Sequence, residues 1–159
     1  QTFKLPQPLI SKEGVKIKDL KDPIKKMSKS ETNPNGVISL FDSPEMVTKK
    51  IMGATTDSEN LVYFDEENKP GISNLLNIAS VISKRTTEDI ANEYKTAGYG
   101  NFKKYVASLT SQMISDIQEK YNHIISSGKL EEILSKGKEK SRKLAYEKMN
   151  QMKKKVGLN

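Results

Sequence analysis

The chain contains no cysteine and only one histidine, His123. Without cysteine it forms no disulfide and no thiolate metal site, which fits a reducing compartment such as the cytoplasm. It also has no apolar run near the ~18 residues that a membrane-spanning helix needs, and residues 1–6 lack the apolar core of a signal peptide. We therefore expect a cytoplasmic protein without a membrane segment.

Its 159 residues, 35% of them hydrophobic, suffice for one domain, or for one domain plus the remnant of another.

Neither the histidine nor the acidic residues predict a metal or catalytic site. His123 lies in a predicted helix beside Tyr121 and Ile124, and no second histidine is available to share a metal. Asp57 and Glu59 resemble a pair of catalytic carboxylates, but capping or salt bridges to nearby basic residues explain them better. We predict no metal site formed by the protein itself.

Lysine is abundant and unevenly distributed. Residues 1–31 carry eight lysines against four acidic residues, a net charge of +4. Residues 32–128 carry nine basic and twelve acidic residues, a net charge of −3, and residues 129–159 carry ten basic and four acidic residues, a net charge of +6. A polyanion would therefore contact the two ends rather than the middle. For residues 129–159, a solvated lysine-rich helix face is an equally good interpretation.

A short basic loop spans residues 26–30, with the sequence Lys-Met-Ser-Lys-Ser, and is called the signature loop below. Each lysine is a compact charge on a flexible stem, and serine hydroxyls and backbone N–H groups add donors suited to phosphate. Residues 14–20 before it alternate apolar and polar side chains, which predicts a half-buried strand. A turn-rich stretch and a helix follow. Strand, basic loop and helix is the order expected at a nucleotide site on an α/β sheet.

Most of the remaining chain predicts helices. Ser43 and Pro44 predict a helix start, Pro70 opens a nearly all-buried helix, and Thr86 predicts a cap. The predicted helices cover residues 44–52, a segment from Pro70, residues 87–97, residues 102–127 and a segment from Lys129. Residues 98–100 are expected to end the third helix and Gly128 to end the fourth. The fourth helix has the clearest apolar stripe, formed by Phe102, Val106, Leu109, Met113, Ile117, Tyr121 and Ile124.

The last helix also has an apolar side. Gly137 interrupts it, at a cost of about 1 kcal/mol relative to alanine, for which packing must compensate. Short connections between the helices favour a small antiparallel bundle. The apolar side comprises Leu130, Ile133, Leu134, Leu144, Met149, Met152 and Val156.

Four strings of residues resemble a known family. They are residues 25–34, residues 56–59, residues 69–76 and residues 98–103. Together they make the chain similar to the C-terminal half of the bacterial-type tryptophanyl-tRNA synthetases, a family of class I aminoacyl-tRNA synthetases. Tyrosyl enzymes are the nearest relatives in fold, but residues 69–76 and the Asn33-Pro34 pair resemble the tryptophanyl pattern. The family's other signature, of the His-x-Gly-His type, is absent, so we expect a fragment that does not aminoacylate by itself.

The resemblance implies a mostly α chain. Residues 1–42 would be the C-terminal remnant of the Rossmann-like α/β catalytic domain, containing its last strand and the signature (KMSKS) loop. Residues 43–159 would form a helical bundle that binds the tRNA anticodon, although the last helix could instead return to pack on the missing catalytic half. The full-length protein would be α/β plus α, and a homodimer whose contact lies mostly in the missing half.

The resemblance also implies an activity in protein biosynthesis. The full-length ligase uses ATP, as its Mg²⁺ complex, to convert tryptophan to the adenylate, and then transfers it to tRNA(Trp). Cations near the leaving pyrophosphate lower the barrier, and comparable groups in other enzymes are worth ~3 kcal/mol or more. By resemblance, Lys26 and Lys29 are the catalytic residues, whereas Lys21 and Lys25 have no assigned role and are expected to be solvated. The implied ATP-binding residues are Ile17, Lys26, Met27, Ser28, Lys29 and Ser30.

Candidate tRNA contacts lie in the last helix, where positive charge clusters. Two other interpretations remain open. The chain could be a non-catalytic helical module that binds tRNA or RNA and retains the loop as a remnant, or a structural bundle without ligands. The candidate tRNA-binding residues are Lys136, Lys140, Arg142 and Lys143.

Overall fold

The computed structural model describes residues 2–9, 16–30 and 32–158. The described residues form five α-helices and one 3₁₀ turn, which confirms the mostly α class. None of the described helices has an apolar stretch long enough to cross a membrane. The helices are α1 (Pro44–Met52), α2 (Pro70–Ser83), α3 (Thr87–Tyr94), α4 (Gly98–Ser126) and α5 (Leu130–Lys155), and the 3₁₀ turn is Pro34–Gly36.

The chain divides into two compact units, one within residues 10–118 and the other formed by residues 1–9 and 119–159. The hydrophobic core of the first unit surrounds α2, which is buried along most of its length. Helices α1, α3 and α4 each contribute one buried face, as amphipathic helices do. The largest fully buried side chains of this core are Phe102, Leu20, Ile51, Ile72, Leu75, Leu76, Ile90, Ile114, Val47, Val62 and Val106.

The helix starts predicted from local signals are confirmed. The Ser43 hydroxyl accepts a hydrogen bond from the Met46 N–H at 3.2 Å and caps α1. The Thr86 hydroxyl accepts from the Asp89 N–H at 3.1 Å and caps α3. These side chains satisfy N–H groups that have no partner within the first helical turn.

The boundary between α3 and α4 was predicted wrongly. Helix α3 ends at Tyr94, and residues 98–100, expected to end it, instead form the first turn of α4. Gly98 has a positive φ of 78°, and the Tyr99 N–H donates to the Asn60 side-chain oxygen at 2.8 Å. The Asn60 side chain, which is distant in sequence, thus accepts a hydrogen bond from the first turn of α4. Helix α4 therefore begins earlier than predicted. Gly128, with φ of 68°, does follow the end of α4 in the left-handed conformation expected of a C′ glycine.

The predicted strand before the signature loop is not a regular strand within the described residues. Lys18 and Lys26 form one isolated antiparallel bridge. The Lys18 peptide groups bond to the Asn74 side chain, and the Leu20 N–H donates to the Gly36 carbonyl at 2.9 Å. Because loops and a side chain satisfy these groups, no ladder forms at this segment. Residues 14 and 15, where the prediction begins, lie outside the described residues.

In the second unit, α5 contains no buried residue. Its predicted apolar side is exposed, with Leu134 at 57% and Leu144 at 60% of their full accessibility. No atom within 4 Å would contact a Cβ added at Gly137. The packing expected to compensate for Gly137 is therefore not present among the residues described.

Candidate phosphate-binding site

The signature loop is fixed at its start by backbone hydrogen bonds. The Met27 N–H donates to the Ile17 carbonyl at 3.0 Å, and Lys26 is bridged to Lys18. The Met27 and Ile17 side chains are half-buried against the hydrophobic core. Further along, the Ser28 and Ser30 hydroxyls lie 3.0 Å apart and can hydrogen-bond to each other. The loop therefore begins at a defined place on the core.

The two signature lysines are exposed, and among the described residues neither side-chain nitrogen has a hydrogen-bond or ion-pair partner. Their neighbours differ. Lys25 pairs with Asp22 at 3.0 Å, and the Lys21 ammonium donates to the Gly53 carbonyl. Lys21 and Lys25 are exposed, as expected, and both also have protein partners. Within the described residues, the ammonium donors of Lys26 and Lys29 therefore have no protein acceptor, unlike those of Lys21 and Lys25.

Lys29 borders an open surface cavity of about 390 Å³. This volume lies within the range of small-molecule sites in proteins. Its other walls come from residues 37–41, which follow the 3₁₀ turn and include the exposed side chains of Leu40 and Phe41. One signature lysine therefore faces a cavity with largely apolar walls.

A buried carboxylate lies at the turn that precedes the signature loop. Asp19 is buried and accepts hydrogen bonds from the Lys21 and Asp22 N–H groups at 2.7 and 3.0 Å. A Cβ at Gly36 would clash with the Asp19 carboxylate, so only glycine fits there. The chain thus turns sharply after Leu20, and the 3₁₀ turn that follows the signature loop lies against the segment that precedes it.

The segment that walls the cavity is attached to two helices. Lys50 of α1 forms a largely buried ion pair with Asp42 at 2.6 Å and donates to the Val37 carbonyl at 2.8 Å. Gln118 of α4 donates to the carbonyls of Leu40 and Asp42 at 2.8 and 2.9 Å. These bonds connect the wall of the cavity to the helical core.

The strings at residues 56–59, 69–76 and 98–103 meet in a buried ionic cluster around Lys69. Lys69, 2% exposed, pairs with Asp57 at 2.9 Å and Glu59 at 2.6 Å and bonds to the Tyr99 hydroxyl at 2.8 Å. The predicted salt-bridge role of Asp57 and Glu59 is confirmed. Burial alone would raise the pKa of Asp57, but hydrogen bonds from Tyr99 and Lys69 lower it to about 2. The cluster fastens the start of α2 to the start of α4.

The candidate tRNA-binding residues are exposed on α5. Lys136, Lys140 and Lys143 recur at intervals of four and three residues and share one face, whereas Arg142 points about 100° away from Lys143. Lys136 pairs with Glu132 at 2.5 Å. The other three have no ion pair among the residues that the structure describes.

His123 is exposed near the end of α4. In the part of the chain that the structure describes, no group of three or more histidine, cysteine, aspartate or glutamate side chains could hold a metal ion.

Sequence reasoning missed Asn74. It is buried on α2 and bonds to both peptide groups of Lys18. The one available signal was the polar Ser73-Asn74 pair between Ile72 and Leu75, in a helix that was expected to be nearly all buried.

Comparison with known proteins gives a consistent result. The family described as tRNA synthetases class I (W and Y) matches residues 1–115. The chain is 45% identical over its whole length to a tryptophan–tRNA ligase of Bacillus anthracis, and 42% identical over 98% of its length to one of Bacillus subtilis. It covers 48% and 47% of these proteins, so it spans about half the length of the curated relatives it matches.

Solved structures are similar as well. A tryptophanyl-tRNA synthetase from Mycoplasma pneumoniae superposes with a TM-score of 0.86 and 34% identity, over 94% of this chain and 47% of that one. A tryptophanyl-tRNA synthetase from Campylobacter jejuni, complexed with ADP and tryptophan, gives a TM-score of 0.64 and 30% identity, over 99% of this chain and 48% of that one.

Proposed function

The chain belongs to the class I tRNA synthetases for tryptophan and tyrosine, and we propose that it forms the C-terminal half of a tryptophan–tRNA ligase. Relatives named as tryptophan–tRNA ligases, at 40 to 45% identity over nearly the whole chain, support tryptophan as the amino acid. The substrates of the full-length enzyme are then tryptophan, ATP and tRNA(Trp), and its place is the cytoplasm, where these meet.

The signature loop supplies the cations for the first step. The tryptophan carboxylate attacks the α-phosphorus of ATP, and negative charge develops on the pyrophosphate as it leaves. Lys26 and Lys29 neutralise that charge. Met27, Ser28 and Ser30 shape the loop around ATP, and the main chain of Ile17 contacts the adenine. The observation that carries this proposal is a pair of ammonium groups that have no partner among the described residues, on a loop anchored at its start. Mg²⁺ enters with ATP as part of the substrate.

The second step needs tRNA, for which α5 offers positive charge. Lys136, Lys140 and Lys143 on one face, with Arg142 beside them, are suited to phosphate oxygens along a nucleic acid backbone. Such contacts orient the tRNA without reading its sequence.

Replacing Lys29 tests the first step in a full-length synthetase that carries this chain as its C-terminal half. Lys29→Ala should reduce tryptophan-dependent exchange of pyrophosphate into ATP by roughly a hundredfold, because one cation is lost where charge develops. Its dissociation constant for tryptophan should change little. Lys25→Ala is the matched control, since Lys25 is in the same region but already paired with Asp22. Equal exchange rates for Lys29→Ala and wild type would remove Lys29 from this role.

The tRNA contacts are tested in the same protein with Lys140 and Lys143 both replaced by alanine. Pyrophosphate exchange needs no tRNA and should stay normal, whereas tRNA charging should weaken. The difference in tRNA binding between the variant and wild type should narrow as salt rises, because the variant neutralises fewer phosphates. A wild-type protein that binds tRNA but shows no exchange with tryptophan would instead favour a non-catalytic RNA-binding module.

A further inference from the structure

Asn74 forms an unusual connection between the helical core and the signature loop. It lies on α2 and is 3% exposed. Its side-chain oxygen accepts from the Lys18 N–H at 2.7 Å, and its side-chain nitrogen donates to the Lys18 carbonyl at 2.9 Å. The amide thus engages both peptide groups of one residue, as the edge of a neighbouring strand would.

The residue held by Asn74 is central to the anchoring of the loop. Lys18 is bridged to Lys26, the first residue of the signature loop. On either side of it, the Ile17 carbonyl accepts from the Met27 N–H at 3.0 Å, and the Asp19 N–H donates to the Lys25 carbonyl at 2.9 Å. The start of the loop is therefore in register with a segment that Asn74 holds.

Loss of this amide would leave polar backbone groups without partners. Lys18 is only partly exposed, and an unsatisfied buried N–H or carbonyl is destabilising. The segment would then shift or admit water to recover those bonds. Helix α2 would not follow, because Leu75 and Leu76 remain fully buried in the core. Loss of the Asn74 amide would therefore displace residues 17–19 and the signature loop that they anchor.

We propose that Asn74 is a positioning residue for the ATP site, which sets the register of residues 17–19 and thereby the place where Lys26 and Met27 begin the signature loop. This rests on the proposed function, because it deepens the role of the same site. Asn74 does not contact the phosphates. It acts through Lys18, so its loss should affect the binding of ATP rather than that of tryptophan.

The test compares Asn74→Ala with Asn77→Ala in the full-length synthetase. Asn77 is the matched control: it lies one turn further along α2, is partly buried, and its side chain has no hydrogen bond to any described residue. In pyrophosphate exchange, Asn74→Ala should raise the KM for ATP about tenfold or more, because small displacements of positioned groups are costly. Its KM for tryptophan should stay within about twofold, and Asn77→Ala should resemble wild type in both.

Amide hydrogen exchange in the present chain gives a readout that needs no activity. In Asn74→Ala, the amides of Lys18, Asp19 and Met27 should exchange at least about tenfold faster, while those of α2 stay protected. Asn74→Asp is the nearly isosteric second variant should the alanine variant not fold. It keeps the acceptor for the Lys18 N–H but places an oxygen against the Lys18 carbonyl. The raised KM for ATP and the faster amide exchange should therefore both persist.

Three results would overturn the role of Asn74 alone, provided that the wild-type enzyme is active and the variant is folded. The first is an unchanged KM for ATP in the Asn74 variant. The others are an equal rise of this KM in Asn77→Ala, and equal rises of the KM values for ATP and tryptophan in the Asn74 variant. A wild-type enzyme without tryptophan-dependent exchange overturns the proposed function, and the positioning role fails with it.

Discussion

At the scale of single residues, Lys69 shows what a buried ammonium group requires. It is 2% exposed, and burial alone would lower its pKa, yet hydrogen bonds with Glu59, Tyr99 and Asp57 raise it. Its ammonium group also lies 4.5 Å from the centre of the Tyr63 ring, a cation–π distance. Removing one partner of a buried pair leaves the other charge poorly compensated. The cluster is therefore a sensitive point of the fold, although it lies outside the signature loop.

Asp57 predicts how stability depends on pH. Its folded pKa of about 2 lies below the ordinary value of 3.8. The depressed pKa contributes about 2 kcal/mol to the free energy of unfolding above pH 4, and this is lost as the pH falls from about 4 to 2. Urea unfolding should therefore show Asp57→Asn less stable than wild type by about 2 kcal/mol at pH 7, with the difference closing near pH 2.

Asp22→Asn is the control for this measurement. Asp22 pairs with Lys25 at the surface, where water screens the interaction, so its replacement should have little effect at either pH. A constant difference between wild type and Asp57→Asn from pH 7 to pH 2 would show that the carboxylate charge does not contribute.

At the scale of elements, α4 has two dissimilar halves. Its apolar stripe begins at Phe102 and Val106, which are fully buried, and continues to Ile117, Tyr121 and Ile124, which are 38 to 48% exposed. The stripe predicted from spacing is real as a pattern, but α2 and the neighbouring helices cover only its first part. The spacing of apolar residues predicts which face of a helix is apolar. It does not predict how much of that face a neighbouring helix covers.

Phe102→Ala and Ile117→Ala measure this difference within one helix. Phe102 is fully buried and its ring centre lies 5.8 Å from that of Tyr94, so truncation should cost about 3 to 5 kcal/mol. Ile117→Ala should cost about 1 kcal/mol or less, because that side chain is already partly hydrated. Chemical unfolding followed by circular dichroism gives both values. Similar costs at the two positions would contradict the burial described for α4.

The same elements show which features the sequence could predict. Ser43 and Thr86 cap helices within their own turn, so the starts of α1 and α3 could be found from local sequence. The start of α4 depends on a hydrogen bond from Tyr99 to Asn60, which lies 39 residues earlier. No local sequence pattern predicts that contact. The segment at Lys18 has strand-like alternation, but its hydrogen bonds go to Asn74, 56 residues away. The loop could be found from its residues, whereas its anchoring could not.

At the scale of the whole molecule, every buried residue that the structure describes lies in one of the two compact units. The core lies within residues 10–118. In the other unit, α5 has 26 residues and none of them is buried. Most helical stability in proteins comes from packing an apolar face, and a helix without it is marginal in water. The two units should therefore differ widely in local stability.

Amide hydrogen exchange of the present chain should show this difference directly. Amides of α5 should exchange at least about a hundredfold faster than those of α2, whose opening requires loss of the core. Gly137→Ala is a specific further test, because the added Cβ meets no atom within 4 Å. It should slow exchange in α5 by up to about fivefold, as expected for about 1 kcal/mol of helix propensity, and leave α2 unchanged.

Slow exchange throughout α5 in the present chain would contradict the exposure described here. The same measurement in a full-length synthetase distinguishes the two roles left open for this helix. If α5 packs on the catalytic half, its apolar side becomes covered, and its exchange should slow by far more than Gly137→Ala achieves. If α5 serves only as a basic surface for tRNA, its exchange should stay fast until tRNA is added, and the protection should weaken at high salt.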